Sequence, residues 1–175
     1  GLPSNSIRDI TQSNDGTLII ACYKAGVAKF DGKKFTLYDD GLDDKRVILL
    51  ENGFDGEIWA GTESAGIGVL EQDQFRMIRD SDGLAHNEMF SLYNDGKRMW
   101  AGTFGGGVSC FHDNTWFTLR ESDGLNSNTV GSIVSIDENT TMIGGTSGVS
   151  IFKTNNQKFS LEMGDILTPK EELSF

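Results

Sequence analysis

The sequence predicts an all-β protein, a β-propeller with four consecutive four-stranded antiparallel blades of about 41 residues each. Three observations lead to this prediction: a unit that recurs four times, turn signals at regular spacing within each unit, and a Gly-rich composition. The chain has 175 residues, with 22 Gly and only 2 Pro, which is typical of short strands joined by tight turns. The main alternative is a stacked β-solenoid.

The repeat begins on a Gly-Leu pair, which recurs at Gly1-Leu2, Gly41-Leu42, Gly83-Leu84 and Gly124-Leu125. An apolar residue stands five positions after each Leu, and another follows three positions later. These residues indicate the first strand of each unit: Ile7 and Ile10, Val47 and Leu50, Met89 and Leu92, Val130 and Ile133.

The other three strands of each unit are marked by glycine and aromatic residues. An Asp-Gly turn in the first three units predicts a hairpin, because Gly tolerates positive φ; the fourth unit has Asp137-Glu138-Asn139 instead. The third strand begins at a Gly. The fourth strand opens on an aromatic residue: Phe35, Phe75, Trp116 or Phe159. The predicted blades are 1–40, 41–82, 83–123 and 124–162, and 163–175 is a degenerate tail or the start of a further blade.

Most of the repeated residues are interpreted as structural. In the second strand, Trp59 and Trp100 align with Ile19 and Ile143, and this exchange of Trp with Ile predicts packing between blades. The position two residues before the first strand holds Asn in three units and Lys45 in the second. We expect the Asn side chains to hydrogen-bond backbone in the connection: Asn5, Asn87 and Asn128.

Charge and cysteine content exclude several classes of function. The net charge of −11 disfavours nucleic acid and anionic membranes as partners, since both require a basic surface. No run of 18 apolar residues is present that would span a membrane. Cys22 and Cys110 lie at different repeat positions, with no disulfide or metal pattern, and are interpreted as small buried residues whose redox state is open.

Binding residues are expected where the repeats differ and face one side. In a propeller, the connection between blades and the loop between the second and third strands lie on the same face. The connections between blades are 3–6, 43–46, 85–88 and 126–129. The loops between the second and third strands are 23–25, 63–65, 104–106 and Ser147. Tyr23 and Phe104 offer faces for a sugar ring, and Arg46 offers a two-pronged contact to a carboxylate or sulfate. The candidate ligand-binding residues are Tyr23, Lys24, Lys45, Arg46, Glu63, His86, Glu88 and Phe104.

No catalytic, metal or cofactor motif is recognised. The sequence lacks a Gly-x-Ser-x-Gly nucleophile motif, and its two His residues have no metal-ligand spacing. His86 with Glu88 is the one local His-acid pair that a propeller lyase could use. The acidic clusters beside turns are interpreted as solvated loops.

The repeat resembles a known family. The segment 1–7, with Asp15-Gly16-Thr17-Leu18 and Gly26-Val27, is similar to the two-component regulator propeller repeat, and Ile58–Thr62 and Met99–Thr103 match its core. The resemblance covers about residues 1–162. It implies a non-catalytic sensor, part of a membrane-anchored protein in the bacterial periplasm, with oligosaccharides as the ligand class. A protein-interaction or dimerisation scaffold is the alternative, and a propeller lyase or hydrolase is a weaker one.

Four blades are fewer than the roughly seven that such family propellers contain, so the chain is expected to be part of a larger propeller. An open row of blades would expose an apolar face at each end, too large to remain in water. We therefore expect self-association through the end blades as a homodimer that closes an eight-bladed ring, or closure of one chain into a four-bladed ring.

Overall fold

The computed structural model describes residues 1–155 and 158–163, which contain sixteen strands in four separate antiparallel sheets. Each sheet contains four consecutive strands in chain order, which confirms the predicted propeller blades rather than a solenoid. Blades 1 to 4 are β1–β4, β5–β8, β9–β12 and β13–β16. The strands are β1 Ile7–Gln12, β2 Leu18–Cys22, β3 Gly26–Phe30, β4 Phe35–Tyr38, β5 Val47–Asn52, β6 Ile58–Thr62, β7 Ile67–Glu71, β8 Gln74–Ile78, β9 Met89–Asn94, β10 Met99–Thr103, β11 Val108–His112, β12 Thr115–Leu119, β13 Val130–Asp137, β14 Thr140–Gly145, β15 Gly148–Asn155 and β16 Lys158–Met163.

The connections between blades contain two short 3₁₀ helices, Asp80–Asp82 and Glu121–Asp123, each followed by a Gly at positive φ. The side-chain oxygens of Asn87 and Asn128 accept the first backbone N–H of these helices at 2.9 Å. The expected role of these two Asn residues is thereby confirmed. No helix within the described residues is long enough to cross a membrane.

Hydrophobic cores lie between successive blades, and each contains the Leu of a Gly-Leu pair. Leu42 packs between blades 1 and 2, Leu84 between blades 2 and 3, and Leu125 between blades 3 and 4. Trp59 and Trp100 are buried in the second and third of these cores, as the sequence predicts. The repeated apolar residues therefore hold neighbouring blades together.

The fourth blade differs from its predicted alignment by one residue. Met142 lies opposite Val134 as Trp100 lies opposite Tyr93, so Met142 rather than Ile143 occupies the Trp position. The loop between β14 and β15 is correspondingly Thr146-Ser147 rather than Ser147 alone. The predicted alignment was wrong because two adjacent glycines allow two offsets, and a shift of one residue exchanges the two faces of a strand.

The two ends of the row of blades are open. The first strands of successive blades lie side by side, but no hydrophobic core within residues 1–154 joins blade 4 to blade 1. Within the described residues, the four blades form an open row rather than a closed four-bladed ring. Strand β16 extends to Met163, one residue past the predicted blade boundary, and the predicted tail beyond it lies outside the described residues.

Both cysteines are free thiols in separate cores, as expected of small buried residues. Burial raises the pKa of the Cys22 thiol, and burial likewise raises the pKa of the Cys110 thiol well above its usual value. Neither thiol is therefore a reactive thiolate at neutral pH.

Candidate functional site

A β-bulge recurs at the same place in the first strand of every blade. Near the loop face, which carries the blade connections and the loops between second and third strands, the register shifts and leaves one residue without a partner. Bulges redirect side chains and are common beside binding sites. Because the first strands lie side by side, the bulges form an arc of chemically different residues on the loop face: Arg8, Ile48, Phe90 and Gly131.

In two blades the bulge residue contacts the loop residue of its own blade. The Arg8 guanidinium carbon lies 4.3 Å from the centre of the Tyr23 ring. The Phe90 and Phe104 ring centres are 5.9 Å apart, and these side chains are 49% and 54% exposed. Sequence reasoning identified Tyr23 and Phe104 but missed Arg8 and Phe90. The signal was present in the three-residue spacing of buried residues such as Val47 and Leu50, because regular strands repeat every two residues.

A charged cluster joins the loops of blades 1 and 2. The Tyr23 hydroxyl donates to Glu63 Oε2 at 2.9 Å, and the Arg46 guanidinium pairs with the same carboxylate at 2.9 Å. Arg46 also donates to Asp44 Oδ1 at 2.8 Å and to Ser64 Oγ at 2.7 Å. Arg46 therefore positions Glu63 and, through it, Tyr23, while the guanidinium stays partly exposed. The expected two-pronged contact of Arg46 to a ligand stays a prediction.

Asp44 is the buried anchor of this cluster. Burial alone would raise the pKa of its carboxyl, but hydrogen bonds from Arg46 and Ser64 outweigh that effect and hold the pKa below its usual value. Asp44 is thus a carboxylate at neutral pH. Its negative charge keeps the Arg46 guanidinium in place.

His86 has a structural role in its turn. Its Nδ1 accepts the backbone N–H of Glu88 at 3.1 Å, so the imidazole is not paired with the Glu88 carboxylate. The equivalent side chain in every blade accepts the N–H two residues later, which identifies a repeated turn motif: Ser4 to Ser6, Asp44 to Arg46, His86 to Glu88 and Ser127 to Thr129.

The predicted site residues form two groups, and Lys45 lies outside both. Lys45 pairs with Asp39 of its own connection at 2.6 Å, and Lys24 lies 5.7 Å from the Tyr23 ring centre. The structure therefore joins Tyr23, Lys24, Arg46 and Glu63 in the charged cluster of blades 1 and 2. It places His86, Glu88 and Phe104 together in blade 3, where the Phe104 N–H donates to the Glu88 carbonyl at 3.0 Å.

A shallow depression of about 370 Å³ lies beside Phe90. Its floor is glycine-rich, and its hydroxyl groups come from Thr129, Ser132 and Thr146; the glycines are Gly131, Gly144, Gly145 and Gly148. A Cβ at Gly131 would lie 3.2 Å from the Phe90 ring, so the absence of a side chain lets the ring lie close to strand β13. A mostly apolar surface with an aromatic wall and a few hydroxyl groups is typical of a ligand-binding surface.

Metal binding has no support in the geometry of residues 1–154. No three His, Cys, Asp or Glu side chains in that part of the chain are close enough together to hold a metal ion.

No protein-family model matches the chain, and no curated protein matches it. Solved structures do share its fold. An extracellular domain from B. thetaiotaomicron, described as that of a hybrid two component system, aligns with a TM-score of 0.76 and 21% identity over 91% of this chain. The chain spans only 25% of that domain. Similarity at this identity establishes a shared propeller fold.

Two other solved structures are similar to the chain. Virginiamycin B lyase from Staphylococcus aureus aligns with a TM-score of 0.67 and 14% identity, over 96% of this chain and 59% of the lyase. The computationally designed Ika4 protein aligns with a TM-score of 0.65 and 16% identity, over 89% of this chain and 94% of its own. The fold thus occurs in an extracellular domain described as part of a two component system, in an enzyme and in a designed chain of similar length.

Proposed function

We propose that this chain is part of the ligand-sensing propeller of an extracytoplasmic two-component sensor, held at the membrane by a segment outside the chain. The ligand binds on the loop face and leaves unchanged. The observation that carries the proposal is the arc of bulge residues, where each blade presents a different residue next to its variable loop. The shared fold with extracellular domains described as parts of two component systems supports it.

The ligand class that best fits this face is an oligosaccharide. Sugar rings combine CH-rich faces, which pack on aromatic rings, with hydroxyls, which hydrogen-bond to polar groups. Phe90 and Phe104 offer exposed rings, and the depression beside Phe90 offers hydroxyls and glycine backbone. The role of His86 as a turn acceptor favours binding over catalysis, because that imidazole nitrogen is already engaged.

The test is a thermal-shift screen with neutral and acidic oligosaccharides, followed by calorimetric titration of any that stabilise the chain. Phe104→Ala is expected to weaken binding about tenfold or more, which is about 1.4 kcal/mol. Phe54→Ala is the matched control, because Phe54 is an exposed aromatic residue in a turn on the opposite face. Stabilisation by no oligosaccharide, or equal losses in the two variants, would contradict the proposal. Cleavage products detected by mass spectrometry would favour a lyase or hydrolase.

A second role, assembly through the end faces, is favoured by a specific observation. Leu2 is 39% exposed, whereas its counterparts Leu42, Leu84 and Leu125 are buried. On the opposite end, Val149 is 38% exposed, whereas Val27, Ile67 and Val108 are fully buried. Blade 1 and blade 4 therefore carry the two complementary halves of the core that repeats inside the molecule.

We propose that two copies join head to tail, blade 4 of each copy against blade 1 of the other, and close an eight-bladed ring. Analytical ultracentrifugation is expected to show a two-chain species. Val149→Asp should convert it to monomer, whereas Phe104→Asp, which changes an exposed residue away from both end faces, should not. A monomer at every concentration, or a series of growing polymers, would exclude the closed ring.

A further inference from the structure

A groove of about 700 Å³ lies between blades 2 and 3. It opens beside the β5–β6 and β11–β12 turns, on the face opposite the loop face, and extends to Asp82 in the connection between blades 2 and 3. Its walls are aromatic, and its charged groups are mostly acidic. The aromatic residues are Phe54, Trp59, Phe111 and Trp116, and the acidic residues are Asp55, Glu57, Glu71 and Asp82.

The equivalent position between blades 3 and 4 is filled by an arginine of the chain itself. Arg98 is only 4% exposed, and its Nε donates to Asp95 Oδ2 at 2.7 Å. Its guanidinium carbon lies 5.7 Å from the Trp100 ring centre and 5.9 Å from that of Phe152. The Trp100 indole N–H donates to the same Asp95 oxygen at 3.0 Å. The guanidinium is thus held by one carboxylate, two aromatic rings and the Glu138 carbonyl of blade 4, to which it donates at 3.0 Å.

The groove between blades 2 and 3 has the same parts without the guanidinium. Trp59 corresponds to Trp100, and Phe111 corresponds to Phe152, with the Trp59 and Phe111 ring centres 6.0 Å apart. The Trp59 indole N–H donates to Glu57 Oε1 at 3.0 Å, which is the role of Asp95 in the next junction. Glu57 itself stands where Arg98 would be, directly before the second strand of its blade.

The Glu57 carboxylate has a negative charge and lacks a cationic partner within the described residues. Burial would raise the pKa of Glu57, but hydrogen bonds from Trp59 and from backbone N–H groups outweigh this effect and keep the pKa below its usual value. No Lys, Arg or His in residues 1–154 forms an ion pair with it. The one basic residue that lines the groove, Arg76, pairs with Glu71 at 2.9 Å.

We propose that this groove binds the arginine side chain of a partner polypeptide, with Glu57 as the ion-pair acceptor and the partly buried Phe111 and Trp116 as packing surfaces, while the buried Trp59 holds the Glu57 carboxylate. The internal model is Arg98 in the next junction. Arginine fits better than lysine because the planar guanidinium is weakly hydrated and packs on aromatic rings while it donates to a carboxylate. The net charge of −11 also attracts basic segments. This site is independent of the loop face.

The experiment uses the fluorescence of Trp59 and Trp116 to follow titration with acetyl-Gly-Arg-Gly-amide and with the same peptide carrying Lys. We expect a saturable change with the arginine peptide that weakens as salt increases, and a clearly weaker response with the lysine peptide. Glu57→Gln should reduce affinity at least tenfold, because the amide keeps an acceptor for the Trp59 N–H and removes only the charge.

The matched control is Glu138→Gln, which removes an exposed acidic charge at the other junction and should leave the titration unchanged. Phe104→Ala should also leave it unchanged, which separates this site from the oligosaccharide site. Equal responses to the arginine and lysine peptides, an unsaturable response, or an unchanged titration in Glu57→Gln would each overturn the proposal.

Discussion

The junction between blades 3 and 4 is sealed, whereas the junction between blades 2 and 3 is open at the same place. Both have a buried Trp whose indole N–H donates to a carboxylate. The difference lies in the residue directly before the second strand, which is Arg98 in one blade and Glu57 in the other. Arg98 fills the groove in one junction, whereas Glu57 leaves it acidic and open in the other. The turn before this residue also differs, because it spans residues 53–57 in blade 2 and 95–98 in blade 3.

The largest expected effect compares the two tryptophans. Trp100→Ala should lower the free energy of unfolding by about 5 kcal/mol, because the ring is fully enclosed, and Trp59→Ala by about 3 kcal/mol, because one side of its ring borders the groove. Urea unfolding followed by circular dichroism measures both values. Equal losses would show that the open junction is packed as tightly as the sealed one.

Removing the charged residues should produce the next largest difference. Arg98→Ala should cost about 3 kcal/mol, because it leaves the buried Asp95 carboxylate without its cation. Glu57→Ala should cost about 2 kcal/mol, because it removes the acceptor of the Trp59 indole N–H and of the Asp55 N–H. The same unfolding measurement applies. If the double variant Asp95→Ala/Arg98→Ala loses as much stability as the two single variants added together, the two residues do not act as a pair.

The pH dependence of stability gives a third comparison. Burial would raise the pKa of Asp95, but hydrogen bonds from Trp100 and backbone N–H groups, with the charge of Arg98, hold the pKa below its usual value. A carboxylate with a depressed pKa in the folded state contributes its full stability above the unfolded value, near pH 4, and loses it as pH falls further. Asp95→Asn should reduce this acid-dependent loss of stability more than Glu57→Gln does. Urea midpoints measured across the acid range give both losses. Identical profiles would count against a role for Arg98.

The smallest expected effect concerns an exposed ion pair at the sealed junction. Lys97 and Glu138 pair at 2.7 Å across blades 3 and 4, but both side chains are well exposed. Exposed pairs contribute little because water screens them. Lys97→Ala should therefore leave the urea midpoint unchanged within error. A clear loss of stability in this variant would mean that the junction is sealed at its surface rather than by the buried Arg98.

Most of the fold was predictable from the repeat, since glycine turns and apolar spacing are local properties of the sequence. The fourth blade was misaligned because Gly144-Gly145 fits the repeat at two offsets, and only pairing with strand β13 selects one. The bulge residues Arg8 and Phe90 were missed because only the buried positions on either side of a bulge repeat as apolar residues. The extra residue between them differs in every blade.

The charges of the site were less predictable than its position. Arg46 was predicted to contact a ligand. Its partner Asp44 lies two residues before it, but Glu63 and Ser64 are brought to it by the loop between β6 and β7. The groove beside Glu57 was not predicted, because its walls come from turns and strands of two blades. A sequence repeat shows which positions are equivalent, but it does not show whether a side chain occupies the space between two blades at each of them.

The recurring bulge also has an evolutionary consequence. Its extra residue has no partner opposite in the sheet, so a substitution there leaves the pairing of the blade intact. Whenever a blade is duplicated, the copy adds one more such position to the loop face. Recognition can therefore change by mutation one blade at a time while the scaffold is conserved, and a lineage that gains blades gains independent sites for selection to act on.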